Sequence, residues 1–217
     1  MSSDQRRPPL DRDRVVGAAV DLADRDGLDA LTMRHLAETL GVTPMALYKH
    51  VDNRERLIDA MVDRVVAEIP RAAPASLWND ALRARILAAR SALRRHPWAQ
   101  DAIESRTLAS PVVLAYMDDL MRTMFDGGLS ADLVHNSMHA LSTRMWGFTR
   151  DVLPTPTPPA DPAERATALA AFAEAYPAII RMATTSSHAG EACDDDAEFA
   201  FALDLLIDGI RRRHDGG

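Results

Sequence analysis

The sequence predicts an all-α protein, and three observations carry that expectation. Ala, Leu, Met and Arg dominate it, and all are good helix formers. Aromatic residues make up only 5% of the chain, and no run of alternating β-branched residues marks a strand. Apolar residues recur instead at three- and four-residue spacing in segment after segment. With 217 residues, 47% of them hydrophobic, the chain is long enough to bury a core without staples. The single cysteine, Cys193, leaves no internal disulfide and suits a reducing cytoplasm. The first residues, MSSDQRRPPL, lack the apolar core of a signal peptide. No window approaches the roughly 18 apolar residues of a membrane span. A cytoplasmic protein with no membrane partner is expected.

Taken in order, residues 1–9 read as a loose arm whose Arg6 and Arg7 could reach a minor groove. The first helix runs from Asp11 to Asp26, with Val15, Val16, Ala19, Leu22 and Ala23 on one face, and Gly27 stops it. Thr32 caps a second helix whose inner face is Leu36, Ala37 and Leu40. Gly41 makes the turn. Thr43 caps the third helix, and Pro44 sits at its first position, where a missing N–H costs nothing. Ala46 and Leu47 point inward, which leaves Met45, Tyr48, Lys49 and His50 outside. Asp52, with Glu55 three residues on, reads as a capping box for a fourth helix that runs to Pro70.

PRAAPAS at 70–76 is a hinge and a soft boundary, with the fourth helix shared by both sides. The expected organisation is an arm (1–9), a three-helix helix-turn-helix domain (10–70) and a C-terminal helical bundle (71–217). In the bundle, Trp78, Leu82, Ile86, Ala89 and Leu93 trace one buried stripe, and a short helix follows from Trp98 to Ser105. Ser110 and Pro111 open the next helix, with Leu114, Met117, Met121 and Met124 on its seam. Ser130 caps another, with Val134, Met138, Leu141 and Met145 at coiled-coil spacing. Five prolines between 152 and 162 form a loop, a helix then reaches Tyr176, and Pro177 interrupts it. Residues 184–196 read as a polar, acidic loop. The last helix uses Phe199, Leu203, Leu206 and Ile210, and places Arg211, Arg212 and Arg213 at its negative end.

The stretch from Thr32 to Asp59 carries the functional signal. In a helix-turn-helix the second helix enters the major groove, and its first turn meets base edges. Net charge argues the other way. The chain carries −7, and residues 1–60 hold nine Arg or Lys against eleven Asp or Glu. Positive charge must therefore be local, and Arg6, Arg7, Arg34, Lys49, Arg54 and Arg56 are its sources.

The segment LTMRHLAETLGVTPMALYKHVDNRERLIDAM closely resembles the N-terminal domain of the TetR family of transcriptional repressors. The likeness lies in the capped second helix, the LGV turn, the LY-x-H-V close and the Asn-Arg start of the fourth helix. Residues 78–83, 95–99 and 201–210 more weakly resemble the tetracycline-repressor-like C-terminal domain. The resemblance implies a homodimeric repressor of a palindromic double-stranded DNA operator, joined through two bundle helices and released by a small-molecule effector. It places Thr32, Arg34, Thr43, Pro44, Met45, Tyr48, Lys49, His50 and Arg54 at DNA-contacting positions. Pro44 and Met45 stand where polar base readers stand in the tetracycline repressor. Arg85, Ala89 and Ala102 stand at its drug- and metal-holding positions, so tetracycline with magnesium is not expected, nor is any cofactor.

The expected effector lining is Trp98, Met117, Met121, Met145, Trp146 and Phe172, with Arg106 or Arg144 as a polar handle; methionines tolerate varied ligands. Taken singly, each Met of this stripe reads more readily as plain core or dimer seam. Arg83, Arg85, Arg90, Arg94 and Arg95 read as a solvated face, with recognition of a ligand carboxylate as the sharper alternative. Asp132, His135 and His139 share a helical face, but no fourth ligand accompanies them and no metal is expected. Cys193, beside three aspartates, is expected to be inert. The competing class, an all-α enzyme or metal protein with an incidental helix-turn-helix, would need a nucleophile or acid–base pair that the sequence does not offer.

Overall fold

α1 (Arg12–Asp26) begins where the Asp11 carboxylate accepts a hydrogen bond from the Arg14 amide at 2.8 Å. Its inner face, Val15, Val16, Ala19, Val20, Leu22 and Ala23, is buried. This is a computed structural model. It describes residues 9–71, 77–105, 109–145, 159–185 and 194–216, without the side chains of 142–145, 179, 182, 183 and 185. A short 3-10 turn (Leu28–Ala30), which periodicity does not foretell, leads to α2 (Met33–Leu40). The Thr32 hydroxyl caps α2, accepting from the His35 amide at 3.1 Å. Gly41 takes the left-handed conformation, φ 68° and ψ 37°, that reverses the chain most cheaply without a Cβ.

α3 (Pro44–Leu47) is shorter than the periodicity predicts. After Leu47 the chain tightens, with the His50 and Val51 amides both donating to the Leu47 carbonyl, at 2.8 and 3.0 Å. Burial of Leu47 and Val51 then fixes the exit. Thr43 occupies the cap position in extended conformation, but its hydroxyl makes no capping bond. The cap of α4 (Arg54–Ala67) is Asn53 rather than Asp52, accepting from the Arg56 amide at 2.8 Å. Glu55 consequently lies within the first turn, near the positive helix end, instead of reaching back as a capping box.

α4 packs on α1 with one side and on α5 (Trp78–Arg95), α6 (Trp98–Glu104) and α7 (Pro111–Asp126) with others. Leu57, Met61, Val62 and Val65 are fully buried in it. Two polar links reinforce this position. Arg64 pairs with Asp13 of α1 at 2.7 Å, and the Ser110 hydroxyl, which also caps α7, donates to Asp63. A third link bypasses α4: Asp24 of α1 accepts from the Trp98 indole at 2.6 Å and lies 2.9 Å from His96 Nδ1. Trp98 and His96 are both buried there.

The seam of α7 keeps Met124 as predicted, but its other three positions each fall one residue earlier. Val113, Tyr116, Leu120 and Met124 are buried, whereas Leu114 is 54% exposed and Met117 and Met121 are half-buried. Tyr116 is the larger payload, and its ring lies 4.8 Å from the Arg85 guanidinium, a favourable cation–π distance. α8 (Ala131–Met145) buries Val134, Met138 and Leu141 as predicted. Arg83 forks onto Asp204 of α11 (Asp195–Asp215) at 2.6 and 3.1 Å, and these bonds hold the Asp204 carboxyl below its ordinary range. In α11 the buried residues are Phe199, Leu203, Ile207 and Ile210, while Leu206 is half-buried.

Residues up to 147 and from 204 onward make one compact unit, and residues 148–203 make a second. The second holds α9 (Pro162–Ala175), capped by Asp161, and α10 (Pro177–Thr185), which begins at the predicted proline break. Among the described residues there is no strand, and no helix is long and apolar enough to cross a membrane.

Gly127 closes α7 directly against Trp78. A Cβ built on it would stand 2.4 to 2.6 Å from the Trp78 side chain. Gly127→Ala is therefore expected to overpack this contact and cost about 1–3 kcal/mol in urea denaturation. An unchanged midpoint would show that Trp78 moves aside freely.

Candidate nucleic-acid interface and effector cavity

The α2–α3 unit presents a surface without acids at its reading end. From Thr43 to Val51 the sequence has no Asp or Glu. Met45 is 72% exposed and Tyr48 45%, both far beyond what a core residue shows. Thr43, Pro44 and Lys49 are also exposed, and His50 is half-buried. Leu47 alone of α3 is fully buried, so it docks the helix while the neighbours stay outside. On α2, Arg34 projects into solvent and pairs with Glu38 at 3.0 Å, one helical turn away. Such an exposed pair is worth little and is readily exchanged for a phosphate or a base. Thr32 lies at the start of the same helix, its hydroxyl oxygen engaged as the cap.

The objection from net charge finds its answer in what the acids do. Asp11 caps α1, Asp13 pairs with Arg64, Asp24 holds Trp98 and His96, Asp26 takes Arg25, and Asp59 takes Arg56. These carboxylates are spent on the protein itself.

Arg54, at a position the motif gives to DNA contact, also bonds within the domain. Its guanidinium donates to the Leu31 carbonyl at 2.7 Å and to the Leu28 carbonyl at 2.8 Å. It ties the start of α4 to the turn before α2, which holds α2 and α3 in register. Arg6 and Arg7 lie outside the described residues.

Of the expected effector residues, Trp98, Met117, Met121 and Phe172 have described side chains. Trp98 is engaged with Asp24, Met117 and Met121 sit half-buried on the outer side of α7, and Phe172 stacks beside Tyr176 in the second unit, 4.9 Å between rings. Arg106, Trp146 and the side chains of Arg144 and Met145 lie outside the described residues. A cavity of about 540 Å³ opens where the end of α4 meets α5 and the first half of α7. It is lined by Val66, Ile69, Val112 and Ala115 among others, with Arg71, Arg85, Tyr116 and Asp119 supplying polarity. Volumes of this size suit drug-sized ligands.

Arg85, expected on a solvated face, is only 7% exposed. The signal was present in the sequence, because Leu82, Arg85, Ile86 and Ala89 follow the spacing of one buried stripe. Its Nη1 donates to the carbonyls of Ile69, at 2.9 Å, and Pro70. Its Nη2 reaches Asp119 at 3.3 Å. Burial pushes the Tyr116 phenol well above its usual range, and the neighbouring Arg85 charge pulls partly against this. Asp132, His135 and His139 do not add up to a metal site: no group of three or more His, Cys, Asp or Glu suited to a metal occurs among the described residues.

A helix-turn-helix with a bare outer face, sharing one helix with a bundle that carries an open groove, defines a two-part regulator of transcription. Two family models match accordingly: "Bacterial regulatory proteins, tetR family" over residues 15–61, and "Tetracyclin repressor-like, C-terminal domain" over residues 70–214. The chain belongs to the TetR family. It is 38% identical over 128 residues to the HTH-type transcriptional repressor DrrR1 of Streptomyces coeruleorubidus, covering 57% of this chain and 47% of that protein. The chain thus spans about half the length of that relative. Against the class A tetracycline repressor of transposon 1721 from Escherichia coli it is 29% identical, over 94% of this chain and 92% of the other. The structure of the Streptomyces coelicolor TetR family protein ActR in complex with (S)-DNPA superposes with a TM-score of 0.67 at 25% identity, covering 95% and 100% of the two chains.

Replacing Arg54 by Gln should leave the carbonyls of Leu28 and Leu31 short of a donor. A loss of about 1.5–3 kcal/mol is expected on thermal or urea unfolding. A variant as stable as the parent but unable to bind DNA would instead make Arg54 a direct phosphate contact.

Proposed function

We propose that the protein is a homodimeric repressor that binds a palindromic operator through α2 and α3 and lets go when a small-molecule effector occupies its bundle. One observation carries the reading: the exposed, acid-free face of α3 stands on a domain whose α4 also walls the cavity. Arg34 and Thr43 supply much of the base recognition, and Thr32 steadies the start of α2. Pro44 and Met45 offer apolar contact where polar readers are absent, suited to a thymine methyl. Tyr48, Lys49 and His50 hold flanking phosphates. Arg54 positions the unit.

The dimer forms through α8 and α11. These helices flank a groove of about 440 Å³ lined by Leu133, Ala140, Leu205, Leu206 and Ile210, and Leu205 is 55% exposed. A two-fold axis there would make the groove self-complementary. The two α3 helices must then lie about one DNA turn apart, roughly 34–36 Å. An effector that favours a different spacing lowers operator affinity by linkage. The work is done on DNA in the cytoplasm.

The test is a gel shift on the DNA upstream of the protein's own gene. A sequence-specific, salt-sensitive complex is expected, and its absence in every ligand state would sink the proposal. Lys49→Ala should weaken binding to all sequences alike and lower the salt slope by about 1. A changed base preference in that variant would overturn the division of labour between bases and phosphates.

A further inference from the structure

We infer that the cavity beside the end of α4 binds an amphiphilic organic anion, a carboxylate or sulfonate carried on an apolar body, through Arg85 and Arg71. The inference gives a chemical class to the effector of the reading above and rests on that reading only for its regulatory meaning. Charge is the first argument. Among the lining residues, Asp119 is the one carboxylate set against two guanidiniums, Arg85 at 3.3 Å and Arg71 at 3.5 Å. Asp119 is also shared with Arg122, whose other acidic partner is Asp118 at 3.3 Å. Arg122 and Asp118 lie outside the lining, where two guanidiniums face one carboxylate, an excess of one positive charge.

The second argument is an incomplete fork. Arg83 meets Asp204 with both Nε and Nη2, at 2.6 and 3.1 Å, which is how a guanidinium holds a carboxylate well. Arg85 offers the same edge to Asp119 but uses only Nη2, at 3.3 Å, and its Nε is buried with no partner. A buried donor left unmatched is costly, so an incoming acid that displaces Asp119 from this edge and takes both Nε and Nη2 gains more here than at the surface. The third argument is the remaining wall. Val66, Ile69, Val112 and Ala115 offer aliphatic surface, which favours an acid with an apolar body over a small inorganic anion.

Two fluorescent probes separate charge from bulk: 1-anilinonaphthalene-8-sulfonate, and N-phenyl-1-naphthylamine, the same body without the sulfonate. Titrated into the full-length protein at low salt, the sulfonate should bind about tenfold more tightly than the neutral amine, and less tightly as salt rises. Arg85→Gln should remove most of that difference. Because Arg85 also holds backbone carbonyls and its loss can unfold the chain, Arg71→Gln is the companion variant. Its side chain is 81% exposed, and about a threefold weakening for the sulfonate alone is expected. Ala115→Trp, which fills the cavity, should weaken both probes. Equal affinities for the two probes, or sulfonate binding unchanged in both Arg71→Gln and Ala115→Trp, would overturn the site. Binding that follows the expected pattern while operator affinity stays constant would leave the site standing and overturn the ligand-responsive reading instead.

Discussion

Two guanidiniums on backbone carbonyls hold α4 at its two ends, and the rest of the molecule is arranged around that helix. At its start, Arg54 binds the carbonyls of Leu28 and Leu31 and so joins α4 to the turn ahead of α2. Just past its end, Arg85 of α5 binds the carbonyls of Ile69 and Pro70. Helix termini leave backbone groups without partners, and charged donors satisfy them strongly. One of these arginines sets the pose of the reading helices. The other lies in the wall of the cavity. Anchored at both ends, α4 is an element shared by the cavity wall and the helix-turn-helix.

Electrostatics follow from the same economy. A chain of net charge −7 is an unpromising partner for DNA, yet the N-terminal acids are largely consumed by capping and cross-links. Asp24 is the most employed of them, because it binds Trp98 and His96 from the bundle and thereby makes α1 part of the second half as well. Among the outward cations, Lys49 lies beside α3 and Arg34, exposed and paired with Glu38, lies on α2. In the bundle the balance is reversed only locally, where three arginines gather around Asp119.

Much of this could be read from the sequence, for a physical reason. The cap at Thr32, the helix starts at Ser110-Pro111 and Asp161-Pro162, the Gly41 turn and the break at Pro177 are all decided within a few residues, and all appear as expected. The outward set on α3 was legible because so few of its residues can serve a core. What failed depends on residues far away. Asn53 displaced Asp52 as a cap, a local competition that the sequence leaves undecided. Three seam positions of α7 fall one residue earlier because Arg85, distant in sequence, offers its charge to the Tyr116 ring. Trp98, read as ligand lining, became a strut once Asp24 came within reach. Arg85 was misread as surface because an arginine is rarely buried, although its spacing lay on the apolar stripe.

Hydrogen exchange along α4 tests the shared-helix account most directly, compared in the empty protein and with 1-anilinonaphthalene-8-sulfonate occupying the cavity. If α4 links the two halves, ligand should change protection at the amides of Glu68 and Ile69, where Arg85 acts. The change should extend to the first turns of α4 and to α2, where Arg54 acts. Altered protection confined to residues 111–119, with α4 and α2 unchanged while the probe is bound, would contradict it.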